Sequence, residues 1–350
     1  MTDDAAFAAY TAEVKRLVQN EHDRLFAEDA ALVREEPVLH HVHAAIGEYV
    51  GRGGKRVRAV LCATAYEGLG GARADIAGAL LAVELLHAYL LVHDDWMDRD
   101  ALRRGGPTLH TSFGARFGDA HRGASAAILA GDYLSATAQR ALLTARVDAA
   151  NVRDACRVFS IMQRDVVWGQ VLDTVGSGDT PAAVEAMHAL KTASYTATGP
   201  VALGAALIGA SESVRAALDE ITRPLGLAFQ LADDLASAYA EGAASGKARF
   251  GDLREGKCSA LVAEGLRDDA FRAAWQAFIA ERVSLQGPAL DARVESLAAD
   301  LERLGARTRV SDARARHVQR AVELVDASPL APPSRAVMRG FASSLLQGAA

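Results

Sequence analysis

The chain is poor in cysteine, aromatic residues and positive charge. It has three cysteines in 350 residues, Cys62, Cys156 and Cys258, widely spaced and odd in number. That spacing excludes a disulfide framework and a zinc-ligand pattern, and it fits a reducing cytoplasm. Aromatics make up only 6% of the chain. No alternation of β-branched residues reaches useful length, which argues against a sheet protein. A net charge of -6 argues against a nucleic-acid surface, and no such partner is expected. The start, Met-Thr-Asp-Asp, is acidic and unlike a signal peptide. The longest apolar run, Ile76 to Val92, carries Glu84 and His87 and ends in aspartates, so it reads as a buried core helix and not a transmembrane segment.

What the chain does have is alanine and helical periodicity from end to end. Helices are expected over 5–34, 38–51, 57–69, 74–102, 123–145, 150–174, 181–208, 212–241, 258–284, 289–304, 310–326 and 334–347. Thr180-Pro181 has the form of a helix start, a capping hydroxyl before a first-turn proline. Gly199-Pro200 is expected to kink or break its helix. Loops are expected at 51–58, 103–110, 176–180, 242–257 and 328–333. No linker interrupts the pattern. The expected architecture is all-α: one large helical bundle over residues 1–350 around a central cavity.

The most informative segment is Leu90-Leu-Val-His-Asp-Asp-Trp-Met-Asp98. Asp94 and Asp98 lie one helical turn apart and leave the same face, with Asp95 beside them. They repel one another and sit where the helix dipole disfavours anions. A divalent cation would reward the arrangement, and carboxylate oxygens suit Mg²⁺ completed by substrate phosphates. A second acidic motif follows an apolar run in Phe229-Gln-Leu-Ala-Asp-Asp-Leu-Ala-Ser237. Gln230 and Asp234 are one turn apart, as are Asp233 and Ser237, with Glu241 a turn beyond. Two such motifs on separate helices suggest carboxylates facing each other around a metal cluster. Basic loops accompany them: Lys55, Arg56 and Arg58, then Arg103 and Arg104, then Lys247 and Lys257. Guanidinium and ammonium groups are the usual partners of phosphate oxygens, so the pattern points to a diphosphate.

These residues resemble the trans-isoprenyl diphosphate synthases, the polyprenyl synthetases. The matching strings are GGKRVR (53–58), ELLHAYLLVHDDWMD (84–98), RRGGPTLH (103–110), SAAILAGDYL (125–134), GQVLD (169–173), KTASYTATGP (191–200), FQLADD (229–234), GK (246–247) and DLREGK (252–257). The resemblance implies a cytoplasmic, all-α homodimer that condenses an allylic diphosphate with isopentenyl diphosphate, head to tail. It implies about three Mg²⁺ ions per active site, held with substrate phosphates. By that resemblance Asp94 and Asp98 would hold two ions and Asp233 a third, with Asp95, Asp234, Ser237 and Glu241 as further candidates. Arg103, Lys191 and Lys247 would grip the allylic diphosphate. Lys55, Arg58, His87 and Arg104 would bind isopentenyl diphosphate, and Thr192 and Gln230 would line the reacting region. Tyr89 and Leu90 would set chain length, favouring geranylgeranyl over farnesyl diphosphate.

Two positions depart from the family pattern. Ala59 replaces the usual proline after the first basic motif, and Ser237 replaces a third aspartate in the second acidic motif. Asp233, Ser237 and Glu241 also satisfy a class I terpene cyclase metal pattern. A cyclase on the same fold is therefore one alternative, and a non-catalytic partner subunit of a longer-chain synthase is another.

Overall fold

A computed structural model of the chain describes residues 2–176, 178, 180–239 and 250–347. The described residues are almost wholly helical, as expected. They form two compact units, each assembled from separate stretches of chain.

The first unit comprises Met1–Phe159, Pro200–Arg215 and Pro329–Val337. Its helices are α1 (Asp3–Val33), α2 (Pro37–Gly51), α3 (Val57–Gly68), α4 (Ala77–Met97, entered through a short 3₁₀ turn at Arg73–Ile76), α5 (Leu109–Phe117) and α6 (Ala120–Leu142). The start of α7 (Ala149–Val175) and most of α9 (Gly199–Leu207) complete it, with the first residues of α10 (Glu212–Tyr239) and part of α16 (Pro332–Ser344). α4 is the centre. Ala79 to Leu86 are all buried, including Glu84, so the helix is covered on every side. The stretch Arg73–Met97 is long and apolar enough to cross a membrane, yet 72% of its most apolar 18-residue window is buried inside the fold. It is the core helix the sequence suggests. α6 approaches it closely because Gly131 faces His93, whose ring lies 2.2 Å from where a Cβ would stand.

The second unit comprises Ser160–Gly199, Ala216–Ser328 and Met338–Ala350. It contains the rest of α7 and α10, then α8 (Pro181–His188) and a π-helical stretch, Ala189–Thr198, that runs on into α9. α11 (Gly251–Glu255), α12 (Ala260–Gly265), α13 (Asp269–Glu281), α14 (Gly287–Arg303) and α15 (Ala306–Asp326) follow. Its core packs Phe271, Trp275 and Phe278 of α13 with Leu297 and Leu301 of α14 and Val310 of α15.

Several expected elements change. The helix expected over 74–102 stops at Met97, because Arg99 turns into the left-handed region at φ 59°. Beyond it, Leu102–Arg103 and Gly106–Pro107 pair as a two-residue antiparallel hairpin, β1 and β2, inside the expected loop 103–110. α5 was not expected. The helix expected over 258–284 breaks after Leu266 and restarts where Asp268 accepts the Phe271 N–H at 2.9 Å. Gly199-Pro200 does not break the chain. The wider π turn precedes it, and Pro200 falls at the start of an α segment, where a missing N–H costs least. The Thr180 start forms as expected, its hydroxyl accepting the Ala183 N–H at 3.2 Å.

Candidate active site

The first unit gathers the first acidic motif and the cations expected for isopentenyl diphosphate. Asp94 lies in the last turn of α4, and Asp98 caps that helix through an N–H bond to the Asp94 carbonyl. Both side chains are partly exposed. Asp95 points the other way and is fully buried. The Tyr49 hydroxyl donates to its Oδ2 at 2.7 Å, and Arg103 Nε donates to its Oδ1 at 2.6 Å. Burial pushes the Asp95 carboxyl above its ordinary value, against the pull of Arg103. The same arginine reaches Asp100 at 2.9 Å and Asp94 at 4.0 Å. Arg103, expected to grip a diphosphate, is thus held among three carboxylates. Asp95, a candidate metal ligand, spends both oxygens on Tyr49 and Arg103.

The basic loop before α3 is held from beneath. Arg56 takes φ 55° at the start of α3, a conformation costing about 1–3 kcal/mol for a non-glycine residue. Its guanidinium donates to the Val50 carbonyl at 2.9 Å and pairs with the buried Glu84 at 3.4 Å. Glu84 also accepts the Ala59 N–H at 3.0 Å. A proline at position 59 would have no N–H to give. Here the departure from the family pattern has a structural use. Arg104, also left-handed at φ 50°, donates to the Gly53 carbonyl, and Arg52 donates to the Pro107 carbonyl at 2.8 Å, so the hairpin and the loop are tied together. Arg58 is buried, and Lys55 is exposed. His87 lies below them. Burial, and then the fields of Arg58, Arg104, Arg56 and Arg103, hold its imidazole well below its ordinary value. It is a neutral ring inside a cationic cluster.

The second unit carries the second motif. Asp233 is exposed and Asp234 is buried. Asp234 Oδ1 accepts from Gln230 Nε2 at 2.6 Å, and its Oδ2 accepts the Ala260 N–H at 2.8 Å. The Thr192 hydroxyl in turn donates to Gln230 Oε1. Burial pushes the Asp234 carboxyl up to about 7, and His188, 3.8 Å away, is pushed by burial down to about 4. Lys191 and Thr192 sit in the π stretch. Gly169 of α7 makes room for it, since a Cβ there would meet the Lys191 nitrogen at 2.2 Å. A π segment of this kind is frequent at functional sites. The Lys191 ammonium donates to Asp173 at 2.5 Å, and Lys257 reaches the same carboxylate at 3.8 Å. Ser237 is half-buried, and its carbonyl accepts the Phe250 N–H at 3.3 Å. Lys247 and Glu241 lie outside the described residues.

Tyr49, Glu84, Asp100 and Asp173 therefore join the residues singled out from sequence, and Lys257 of the basic loops joins Lys191 at Asp173. Asp173 and Lys257 stood within the quoted motifs. Tyr49 carried no signal, being 46 residues from its partner. Among the described residues no three histidine, cysteine or carboxylate groups converge as a closed metal cage. Asp94 and Asp98 in the first unit, and separately Asp233 in the second, offer hard oxygen donors on accessible edges, which fits ions that take the rest of their shell from phosphate and water.

Comparison with known proteins decides the family. The polyprenyl synthetase family model matches residues 40–297. This chain belongs to the polyprenyl synthetase family. The polyprenyl synthetase is 35% identical to the (2E,6E)-farnesyl diphosphate synthase of Mycobacterium bovis over 279 residues, 78% of this chain and 73% of that one. It is 34% identical to the geranylgeranyl diphosphate synthase of Methanosarcina mazei over 240 residues, 67% of this chain and 71% of the other. Its fold matches the geranylgeranyl pyrophosphate synthase of Corynebacterium glutamicum, solved with isoprenyl diphosphate and magnesium, with a TM-score of 0.87 at 25% identity. That match covers 97% of this chain and 99% of the other. The relatives agree on short-chain prenyl diphosphate synthesis and divide on chain length.

Proposed function

We propose that this polyprenyl synthetase is a Mg²⁺-dependent short-chain prenyltransferase that condenses an allylic diphosphate with isopentenyl diphosphate. The observation that carries the reading is the first unit's pairing of accessible carboxylates, Asp94 and Asp98, with a cation cluster built around a neutral His87. An acidic edge suits a metal-bound diphosphate, and the cations suit a second diphosphate. A cyclase ionises one diphosphate and has no use for the second group, so the cluster favours condensation.

In this reading Asp94, Asp98 and Asp233 hold the ions. Mg²⁺ bound there supplies positive charge to the diphosphate as it leaves. Lys191 and Lys257, kept in place by Asp173, suit a diphosphate beside the second motif, and Arg103 suits one beside the first. Arg58, Arg104 and Lys55 bind isopentenyl diphosphate, and His87, kept neutral, donates a hydrogen bond without adding charge. Tyr89, buried and edge-to-face with His93 at 5.1 Å, forms the floor of the product tunnel. With Leu90 beside it, that floor favours geranylgeranyl over farnesyl diphosphate. A homodimer accounts for the exposed apolar row Ile161, Trp168, Val171 and Val175 on one face of α7, which a second copy would cover.

The test is incubation of the purified protein and Mg²⁺ with dimethylallyl, geranyl or farnesyl diphosphate, each with and without isopentenyl diphosphate. A prenyl diphosphate at least five carbons longer, formed only with both substrates, is expected. A hydrocarbon or alcohol formed without isopentenyl diphosphate would overturn the reading.

A further inference from the structure

We propose that Glu84 is a positioning residue for the second diphosphate: its buried carboxylate holds Arg56 beneath the loop before α3, so that Lys55, Arg58 and Arg104, and not Arg56, meet the ligand. The inference rests on the prenyltransferase reading, which assigns isopentenyl diphosphate to this cluster. Its starting point is a helix with no cap of its own. Arg56 stands at the N-cap position of α3, where Ser, Thr, Asp or Asn would offer an oxygen to the first-turn N–H groups, and its side chain makes no such bond. A guanidinium only donates. The acceptor comes instead from α4: Glu84 Oε1 takes the Ala59 N–H at 3.0 Å. Its other oxygen, Oε2, faces Arg56 Nη1 at 3.4 Å. The helix dipole favours a carboxylate at that end. One side chain, only 2% exposed, thus closes the helix start and balances the arginine.

Arg56 is held on two sides. Its Nη2 donates to the Val50 carbonyl at 2.9 Å, near the end of α2, and its side chain is buried. Lys55 and Arg104, by contrast, lie at the surface. The Arg104 guanidinium crosses Gly54, where a Cβ would stand 2.8 Å from Nη2, and it donates to the Gly53 carbonyl. Arg56 repels that guanidinium and Glu84 attracts it. The balance between the two buried charges therefore decides where Arg104 sits. Without the carboxylate, Arg56 is a buried cation that has lost its counter-charge, and it pushes Arg104 and the loop away. Without the guanidinium, Glu84 draws Arg104 inward and competes with the ligand for it.

The pair is tested by cancelling it. Glu84→Gln keeps an oxygen for the Ala59 N–H but turns an NH₂ on Arg56. In the double variant E84Q/R56Q the two amides pair with each other and no charge is left over. The readout is calorimetric binding of isopentenyl diphosphate in the presence of a chelator. Without metal the acidic edges repel the ligand, and Lys191 and Lys257 are already paired with Asp173, so binding reports the cation cluster. We expect E84Q to raise the Kd at least about tenfold and R56Q at least about fivefold, while E84Q/R56Q stays within about threefold of the parent. In turnover with geranyl diphosphate and Mg²⁺, the KM for isopentenyl diphosphate should follow the Kd, and the KM for geranyl diphosphate should stay within about twofold. A parent that fails to bind isopentenyl diphosphate, or an E84Q Kd within about twofold of the parent, would overturn the proposal. So would a double variant that binds no tighter than R56Q, even if E84Q fails to fold, because Arg56 would then be a ligand itself. A parent that binds isopentenyl diphosphate but extends no allylic diphosphate would sink the prenyltransferase reading and leave the binding comparison standing.

Discussion

The two acidic motifs solve the same problem with different partners. In each, one aspartate of the adjacent pair is turned outward and its neighbour is sunk: Asp94 out and Asp95 in, Asp233 out and Asp234 in. The buried member of the first pair meets a cation, Arg103, and a tyrosine hydroxyl. The buried member of the second meets only neutral donors, the Gln230 amide and the Ala260 N–H. Burial, with Asp233 and Asp173 adding to it, pushes the Asp234 carboxyl up to about 7 against the two dipoles, whereas at Asp95 the push of burial is opposed by the charge of Arg103. The lesson is that the two carboxylates of each Asp-Asp pair in this chain are not equivalent. One is offered outward and the other is spent on the scaffold that aims it.

The largest effect should come from the outward members. Asp94→Ala or Asp98→Ala is expected to lower turnover by at least about a hundredfold, because in the proposed reading each removes a metal ligand used in ionisation. Steady-state kinetics beside circular dichroism checks it, and near-normal turnover in both variants would break the contrast. The cation cluster comes next. Arg58→Ala should raise the KM for isopentenyl diphosphate about 10- to 100-fold, since a charge-assisted contact is worth roughly 1.5–3 kcal/mol. An equal change for the allylic substrate would merge the two diphosphate sites into one. Tyr89→Ala should lengthen the product by at least one five-carbon unit. An unchanged product would place the floor elsewhere and leave Tyr89 as a packing residue against His93.

The smallest effect is on stability against pH, and it probes the neutral surroundings of Asp234 directly. His188, pushed down to about 4, is neutral when folded but protonated below about 6.5 when unfolded, so it costs stability as pH falls from 6.5 to 4. Asp234, pushed up to about 7, does the reverse: the folded state holds its proton longer, so stability falls as pH rises from about 4 to 7. The two slopes oppose each other in the intact protein. Denaturant unfolding of Asp234→Asn should lose stability on acidification across that window, and His188→Gln should lose it on alkalinisation. The same slope in both variants would mean that neither group titrates as its surroundings dictate.

Much of this was legible in the sequence, and the misses share a cause. Apolar periodicity located α4 and α10, and the acidic strings stand at the ends of those helices in the structure. The inward partners were not legible. Tyr49 lies 46 residues from Asp95 and Ala260 lies 26 from Asp234, and helical periodicity within a segment does not say which segments meet. The hairpin at 102–107 depends on Arg104 accepting a left-handed backbone, which residue type does not announce. The π stretch falls within the helix expected over 181–208, and no residue type in it marks the change to the wider turn. Pairing across the fold, and not local propensity, decides which carboxylate of each pair faces out.

The division between outward and inward aspartates is tested most directly by titrating Mg²⁺ against Asp98→Asn and Asp95→Asn in parallel, following product formation and thermal unfolding in each. Asp98→Asn should need at least tenfold more Mg²⁺ for half-maximal rate while its unfolding stays within about 0.5 kcal/mol of the parent. Asp95→Asn should keep its Mg²⁺ dependence within twofold but lose about 3–5 kcal/mol of stability, as expected when one partner of a buried ion pair is removed. The opposite assignment, with Asp95→Asn demanding the extra Mg²⁺ and Asp98→Asn unfolding early, would contradict the account.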